Sequence, residues 1–301
     1  MPAVLLLRIP CALRLALATS FVALVSLPEL SNAQPRPQDA ARRGAEASTK
    51  ASEGEGYAQQ AERAYKSAEK AFRSKDFLEA IRRYNIIRTK FPYSRFAKLA
   101  DLRIADAYFE QEKYATAVEQ YRNFTKLYPD HRQVTYAAWR VALSFYEQMP
   151  DDYWPLPPGY ERDLARARDA EREVRYFMRR YPDTEYSEGA NAKLLEIRRR
   201  LADHEFYVAT FYLKLENPRA AALRLTYLLQ NYSGLGLDPN ALFLLARSYL
   251  ELKDVGKAVR ALTDLVEVHP KHPLAADARR YMRRHGLKPA ARRAAAPTPD
   301  R

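Results

Sequence analysis

One cysteine stands in 301 residues, Cys11, and it lies ahead of an apolar run near the N-terminus. If the first 33 residues are removed as a leader, the remaining chain has no thiol, which excludes disulfides, thiol nucleophiles and thiolate metal sites together. Glycine is almost as scarce, at nine residues. No Gly-rich phosphate loop can be built from it, since Gly234 and Gly236 are too sparse and fall in a turn. No apolar run reaches the roughly 20 residues that cross a bilayer comfortably. Histidine occurs five times. The pair with metal-like spacing, His269 and His272, is interrupted by Pro270 and Pro273 and has no Cys or carboxylate cluster beside it, so it reads as a repeat junction. Acid pairs such as Asp151-Asp152 sit in loops or on charged helix faces, where nothing would shift their pKa for acid-base work. The expectation is a protein without catalytic residues, metal or cofactor.

What the sequence does have is helix-forming composition and a segmented charge. Ala, Leu, Arg and Tyr dominate, and 47% of residues are hydrophobic and dispersed, enough to line a continuous core of stacked helices. The net charge of +13 divides into +1 over residues 1–33, 0 over 34–56, +5 over 57–270 and +7 over 271–301. A basic patch on the last tenth of a chain reads as a solvated helix end followed by a basic tail at 286–301, so no nucleic-acid partner is expected. At the other end, Arg8 and Arg14, the apolar run Leu15 to Leu27 and the small residues around Ser31-Asn32-Ala33 read as a cleaved signal peptide over 1–33. Residues 34–56, polar and punctuated by Pro and Gly, read as a disordered linker. An exported chain without cysteines points to a bacterial periplasm.

From Tyr57 onward, apolar residues recur at helical spacing and five helix stops repeat: Phe91-Pro92, Tyr128-Pro129, Tyr181-Pro182, Tyr232-Ser233 and His269-Pro270. Twelve residues before each stop's second residue stands a small one (Ala80, Ala117, Ala170, Ala221, Ala258), and eight before it a bulky one (Tyr84, Tyr121, Val174, Leu225, Leu262). A further twelve upstream stands another alanine in four repeats (Ala68, Ala105, Ala209, Ala246), followed three later by Ala71, Tyr108, Tyr212 and Tyr249. Small, aromatic, small, bulky and Pro at 8, 11, 20, 24 and 32 is the tetratricopeptide frame. Small residues at 8 and 20 let paired helices approach, bulky ones fill the space to the next pair, and Pro at 32 stops the helix. Ser94, Asp183 and Asp238 are candidate caps for the helices that follow.

This reading gives an all-α superhelical solenoid over 57–285, with repeats at roughly 57–92, 93–129, 130–182, 183–233 and 234–270 and a capping helix at 273–285. Two repeats are expanded. Stops lie 37 apart at the two ends but 53 and 51 apart in the middle. The third repeat carries the insert Met149 to Tyr160, with Tyr153 and Trp154 among prolines, and the fourth begins with a long helix from about Ser187 to Leu215.

A five-repeat protein with a loop in its third pair and a long helix opening its fourth resembles the BamD family of outer-membrane β-barrel assembly factors. The local matches are Ala80-Ile81 with Tyr84, Phe91-Pro92-Tyr93-Ser94, Tyr128-Pro129 with His131, Tyr181 to Tyr186, and Arg200-Leu201-Ala202 with Glu205 and Tyr212. The resemblance implies a scaffold without enzymatic activity, peripheral to the inner face of the outer membrane, that receives unfolded outer-membrane proteins on its N-terminal repeats. Its C-terminal repeats would dock on the barrel subunit. The family is normally lipidated on an N-terminal cysteine, and Cys11 is misplaced for that. The competing reading is another periplasmic repeat adaptor, such as a coordinator of cell-envelope constriction or division, for which uniform repeats and an N-terminal coiled coil would be usual.

Two surfaces follow from the frame. Positions 5, 9 and 13 of the first helices would line a peptide groove: Tyr65, Leu102, Trp139, Phe206 and Phe243, then Glu69, Asp106 and Leu143, then Arg73, Glu110 and Glu147. Aromatic anchors with charged flanks suit an extended or helical peptide. For partner docking, Arg198, Arg199, Arg200, His204 and Glu205 cluster on two turns of the long helix, where an arginine could meet a partner carboxylate bidentately.

Overall fold

The computed structural model describes residues 56–150, 158–161 and 164–289. The leader, Cys11, residues 34–55, Tyr153 with Trp154, and the tail beyond Pro289 lie outside the described residues. Among those described there are eleven α-helices, one 3-10 turn at Gly159–Glu161, and no strand. They are α1 (residues 56–73), α2 (Phe77–Lys90), α3 (Arg95–Glu110), α4 (Tyr114–Leu127), α5 (Val134–Glu147), α6 (Ala165–Arg180), α7 (Ser187–Lys214), α8 (Pro218–Asn231), α9 (Asp238–Glu251), α10 (Val255–Val268) and α11 (Pro273–Arg284). Successive helices pack on one another in chain order. That is the antiparallel helix-pair solenoid the repeat frame calls for.

The frame positions are buried as their sizes require. Ala80, Ala117, Ala170, Ala221 and Ala258 at position 20 have no exposed surface, and Tyr84, Tyr121, Val174, Leu225 and Leu262 at position 24 have almost none. Position 8 is closed by Ala68, Ala105, Ala209 and Ala246, and in the third repeat by Ala142. Each second helix ends on the predicted stop, with Phe91, Tyr128, Tyr181, Tyr232 and His269 as its C-cap residue donating to the carbonyl four before it.

The turn inside a pair has its own regularity. Position 15 is Lys75, Glu112, Glu216 and Lys253, each with φ between 54° and 61°. At every one, the amide of position 15 donates three residues back and the next amide five back, as in Asp76 to Ala71 and Asp254 to Tyr249. This is the Schellman ending, normally given to glycine because a Cβ is strained at positive φ. Among the described helices, the end of α11 uses one, Gly286, at φ 61°. The residue after the turn then caps the second helix: Asp76, Asn217 and Asp254 each accept an amide three residues on, while Lys113 cannot.

The three caps expected from sequence differ. Ser94 precedes α3, but its hydroxyl donates back to the Phe91 carbonyl at 2.8 Å. Ahead of α7 it is Ser187, not Asp183, that ties the turn, donating to the Pro182 carbonyl. Asp238 belongs to α9 itself and accepts from the Gly234 amide at 2.7 Å. In all three places a polar side chain closes the preceding turn in preference to the following helix, which is how Ser and Asp compete with helix ends.

Four apolar clusters run along the stack. The first joins α1 to α3 around Tyr84 and Ile87, and the second joins α3 to α5 around Tyr121 and Phe124. The third gathers Val174, Phe177, Ile197 and Leu201, and the fourth Leu225, Leu245, Leu262 and Leu265. Tyr108, Phe145 and Leu237 each touch two neighbouring clusters, so the core is continuous. The 28-residue α7 is the splint between the last two, with Ala190 to Ala202 in one and Phe206 and Ala209 in the other. The fold extends past residue 285, because Leu287 packs on the fourth cluster and its amide donates to the Met282 carbonyl.

Candidate functional site: a polar face on the first repeats

The acids at position 9 of repeats one and two are structural before they are anything else. Glu69 accepts from the Tyr84 hydroxyl at 2.7 Å and from Arg103 Nε and Nη2 at 2.8 and 3.1 Å. Asp106, 3% exposed, accepts from the Tyr121 hydroxyl at 2.6 Å, the Tyr136 hydroxyl at 3.0 Å and Arg103 Nη1 at 3.1 Å. The motif repeats: a position-24 tyrosine of the second helix donates to the position-9 acid of its own first helix. A position-6 arginine from the next repeat closes over it. Arg140, the next such arginine, donates to the Tyr121 hydroxyl at 3.0 Å and Glu110 at 3.2 Å and lies 3.6 Å from the Phe109 ring centre.

The charges behave accordingly. Burial would raise the Glu69 carboxyl, but the hydrogen bonds from Tyr84 and Arg103 and the guanidinium charge outweigh it and hold it below the usual range. Burial, then the Glu69 charge, pushes the Tyr65 hydroxyl up to about 12. Desolvation and the nearby carboxylates push Tyr84, Tyr121 and Tyr136 up as well, so all remain hydroxyl donors at neutral pH.

Beside this network three hollows join into one groove. The first, about 520 Å³, is walled by Tyr65, Glu69, Lys70, Arg73 and Arg95. The second, about 390 Å³, shares Tyr65 and adds Leu102, Arg103, Asp106 and Arg132. The third, about 370 Å³, shares Arg132, Gln133 and Tyr136 and reaches Tyr186. Gln133 Oε1 is buried there without a protein donor. Of the sequence-predicted groove residues, Tyr65, Glu69, Arg73, Leu102 and Asp106 are brought together on this wall.

The others are elsewhere. Trp139 packs against Phe177 and stacks on Tyr186 inside the third cluster. Phe206 and Phe243 pack on the fourth. Glu110 is exposed and pairs with Arg140, and Glu147 is exposed near Lys193, whose pKa it helps to raise. Sequence reasoning missed Lys70, Arg95, Arg103, Arg132, Gln133 and Tyr136, because it took only the three facing positions of the first helices. The turns between repeats supply Arg132, Gln133 and Tyr186. The one signal that could have found them is the polar cluster His131-Arg132-Gln133 placed directly after the Pro129 stop.

On α7 the five predicted docking residues turn in different directions. Arg198 donates to the Asn231 carbonyl at 2.6 Å, and Arg200 to the Pro150 carbonyl at 2.7 Å. His204 Nδ1 meets the Tyr160 carbonyl, so that nitrogen carries the proton. Glu205, 4% exposed, accepts from Arg224 at 3.1 Å. Arg199 alone of the five is exposed. The long helix therefore holds both ends of the insert: Arg200 grips its start and His204 its return. The expected single exposed cluster is not formed, since burial against α8 and the insert uses up four of its five members.

Among the described residues, no group of His, Cys, Asp or Glu is placed to hold a metal, and no helix is long and apolar enough to cross a membrane. Comparison with known proteins agrees with the repeat frame. The outer membrane lipoprotein family YfiO matches residues 57–255, from the first turn of α1 to the start of α10, and a tetratricopeptide repeat matches 240–272. The outer membrane protein assembly factor BamD of Caulobacter vibrioides is 28% identical over 212 residues, covering 70% of this chain and 67% of that protein. The BamD of Neisseria gonorrhoeae is 26% identical over 207 residues (66% and 76%), and that of Xylella fastidiosa 27% over 187 (61% and 64%).

Proposed function

The chain belongs to the YfiO family of outer membrane lipoproteins, and from that premise we propose that it is a non-catalytic scaffold of outer-membrane protein assembly, working at the periplasmic face of that membrane. The observation that carries the reading is the family match running through nearly every repeat, with the relatives' shared role as assembly factors. The perturbed Glu69, Tyr84 and Tyr121 of the first repeats are tied into the stacking network, which is a structural use of their charge and hydroxyls.

Within that role the groove of repeats one to three receives segments of unfolded outer-membrane proteins. Its wall is amphipathic, with Tyr65 and Tyr136 as ring surfaces and Lys70, Arg73, Arg95 and Arg132 as cations. Docking on the barrel subunit falls to α7, where Arg199 is the outward cation and Arg200 acts by holding the insert.

The test has two arms. Affinity-tagged protein recovered from detergent extracts of outer membranes brings down a β-barrel subunit; its absence overturns the assembly role and leaves an envelope adaptor. Lys70→Glu/Arg132→Glu, both on the groove wall, lowers affinity for a fluorescent fragment of a denatured barrel protein at least about tenfold while barrel-subunit recovery holds. Unchanged affinity moves the substrate site off this face.

A further inference from the structure

The last helix pairs one apolar face with one cationic face. Ala275, Ala278 and Met282, spaced by three and four, are buried, the last two in the fourth cluster with Leu274 and Tyr281 packed against it. The helical period therefore places Arg279, Arg280, Arg283 and Arg284 on the opposite arc. No described helix packs over that arc. Arg283 and Arg284 are exposed, and Arg280 keeps 68% of its side-chain surface. Asp277 is the one carboxylate between residues 271 and 289, and it pairs with Arg280. Glu267 of α10 faces Arg279 and Arg283 across a small groove of about 200 Å³ whose floor is Val266, Met282 and Leu287.

We propose that this end of the solenoid binds an anionic phospholipid surface, with the α11 arginines at the headgroup phosphates and the apolar groove toward the interface. Charge complementarity selects the surface: four arginines on one arc, with two carboxylates near them, form a polybasic face of the kind that adsorbs to anionic lipid. The adjoining apolar groove fits an interface that is polar above and apolar below. A nucleic-acid backbone would leave it unused, and the chain's family is an outer-membrane one. The contact is separate from the groove of the first repeats, so either proposal can fail without the other.

The experiment is co-sedimentation of the full chain with vesicles of phosphatidylcholine alone or containing 30% phosphatidylglycerol, at low and high salt. The readout is the anionic-minus-neutral difference, because an apolar segment partitions into both. The full chain is expected to bind the anionic vesicles more tightly, the excess falling steeply with salt, and Arg283→Gln/Arg284→Gln is expected to reduce it about 25-fold, roughly fivefold per cation. The double lysine variant at the same positions retains it, since a lipid surface reads charge and not the guanidinium fork. Circular dichroism confirms that both variants keep their helices. Equal binding to both vesicle types, no effect of the glutamine pair in a folded variant, loss on lysine substitution, or tighter binding to duplex DNA at the same salt would each overturn the proposal.

Discussion

Position 24 is tyrosine in the first two repeats, Tyr84 and Tyr121, and leucine in the last two, Leu225 and Leu262. The position-9 partner changes with it, from Glu69 and Asp106 to Thr210 and Arg247, and Arg247 sits 58% exposed with Glu251. The same backbone frame is thus stacked in two ways. In the first repeats a directional chain of hydrogen bonds runs Tyr84, Glu69, Arg103, Asp106, Tyr121, Arg140, and in the last a closely packed leucine cluster fills the same space. Apolar packing supplies stability but tolerates sliding, whereas a buried ionic chain adds little net stability and penalises any arrangement that breaks it. The difference teaches where this solenoid needs a defined polar wall, and that is beside the groove.

The largest expected effect comes from breaking that chain at its most buried member. Asp106→Ala strands the Tyr121 and Tyr136 hydroxyls and half of Arg103, and should cost about 3–5 kcal/mol in urea unfolding. Asp106→Leu/Tyr121→Phe, which makes the pair apolar like Leu143 and Val174 of the third repeat, should recover at least about 1 kcal/mol of that loss. No recovery would mean that shape, and not the stranded hydroxyl, sets the cost. Leu225→Ala in the fourth repeat loses a comparable ~2–5 kcal/mol, but by cavity formation, with no dependence on salt or pH.

Acid should separate the two regions. The Glu69 carboxyl is depressed in the folded state, so its contribution is present above the unfolded carboxylate pKa and is lost as pH falls through the lower folded value. Asp264 in α10 moves the other way: desolvation, then the like charge of Glu267, raises it, so protonating it on acidification relieves a penalty. Hydrogen exchange at pH 7 and near pH 4 should show α1 to α3 losing protection before α9 and α10. Uniform loss would mean that no regional polar chain controls the acid response.

The turns offer a smaller test. Lys113→Asp would give α4 the cap that Asp76, Asn217 and Asp254 give their helices, with a gain of about 1 kcal/mol in the second repeat. Smaller still, Glu112→Gly or Lys253→Gly should gain about 0.5 kcal/mol by relieving positive φ, since the freer unfolded chain offsets part of the relief. Gly286→Ala should lose a similar amount. Thermal midpoints of the single variants, compared with each double, would show whether the two regions add independently.

How much was legible beforehand divides along the same line. Ala68, Ala80, Tyr84 and their counterparts could be read as core because a repeat forces each small or bulky residue into one packing environment many times over. Tyr65, Glu69, Arg73, Leu102 and Asp106 could be placed on one wall for the same reason. Trp139 could not, because a position-5 aromatic serves groove or core depending on the next repeat, and here Phe177 and Tyr186 take it. Nor could Arg200 and His204, whose partners Pro150 and Tyr160 lie 50 and 44 residues away.

What the sequence by itself determined is the frame: helix count, stops, small contacts, the long α7 and the cationic end, all of which depend on local propensity and fixed spacing. Only the tertiary structure decided what each polar side chain does. A charge on a helix has many partners within reach of its own length, and burial makes one of them obligatory. Glu69 therefore became a joint between repeats, Glu205 a partner of Arg224, and the arginines of α11 a face that no described helix covers.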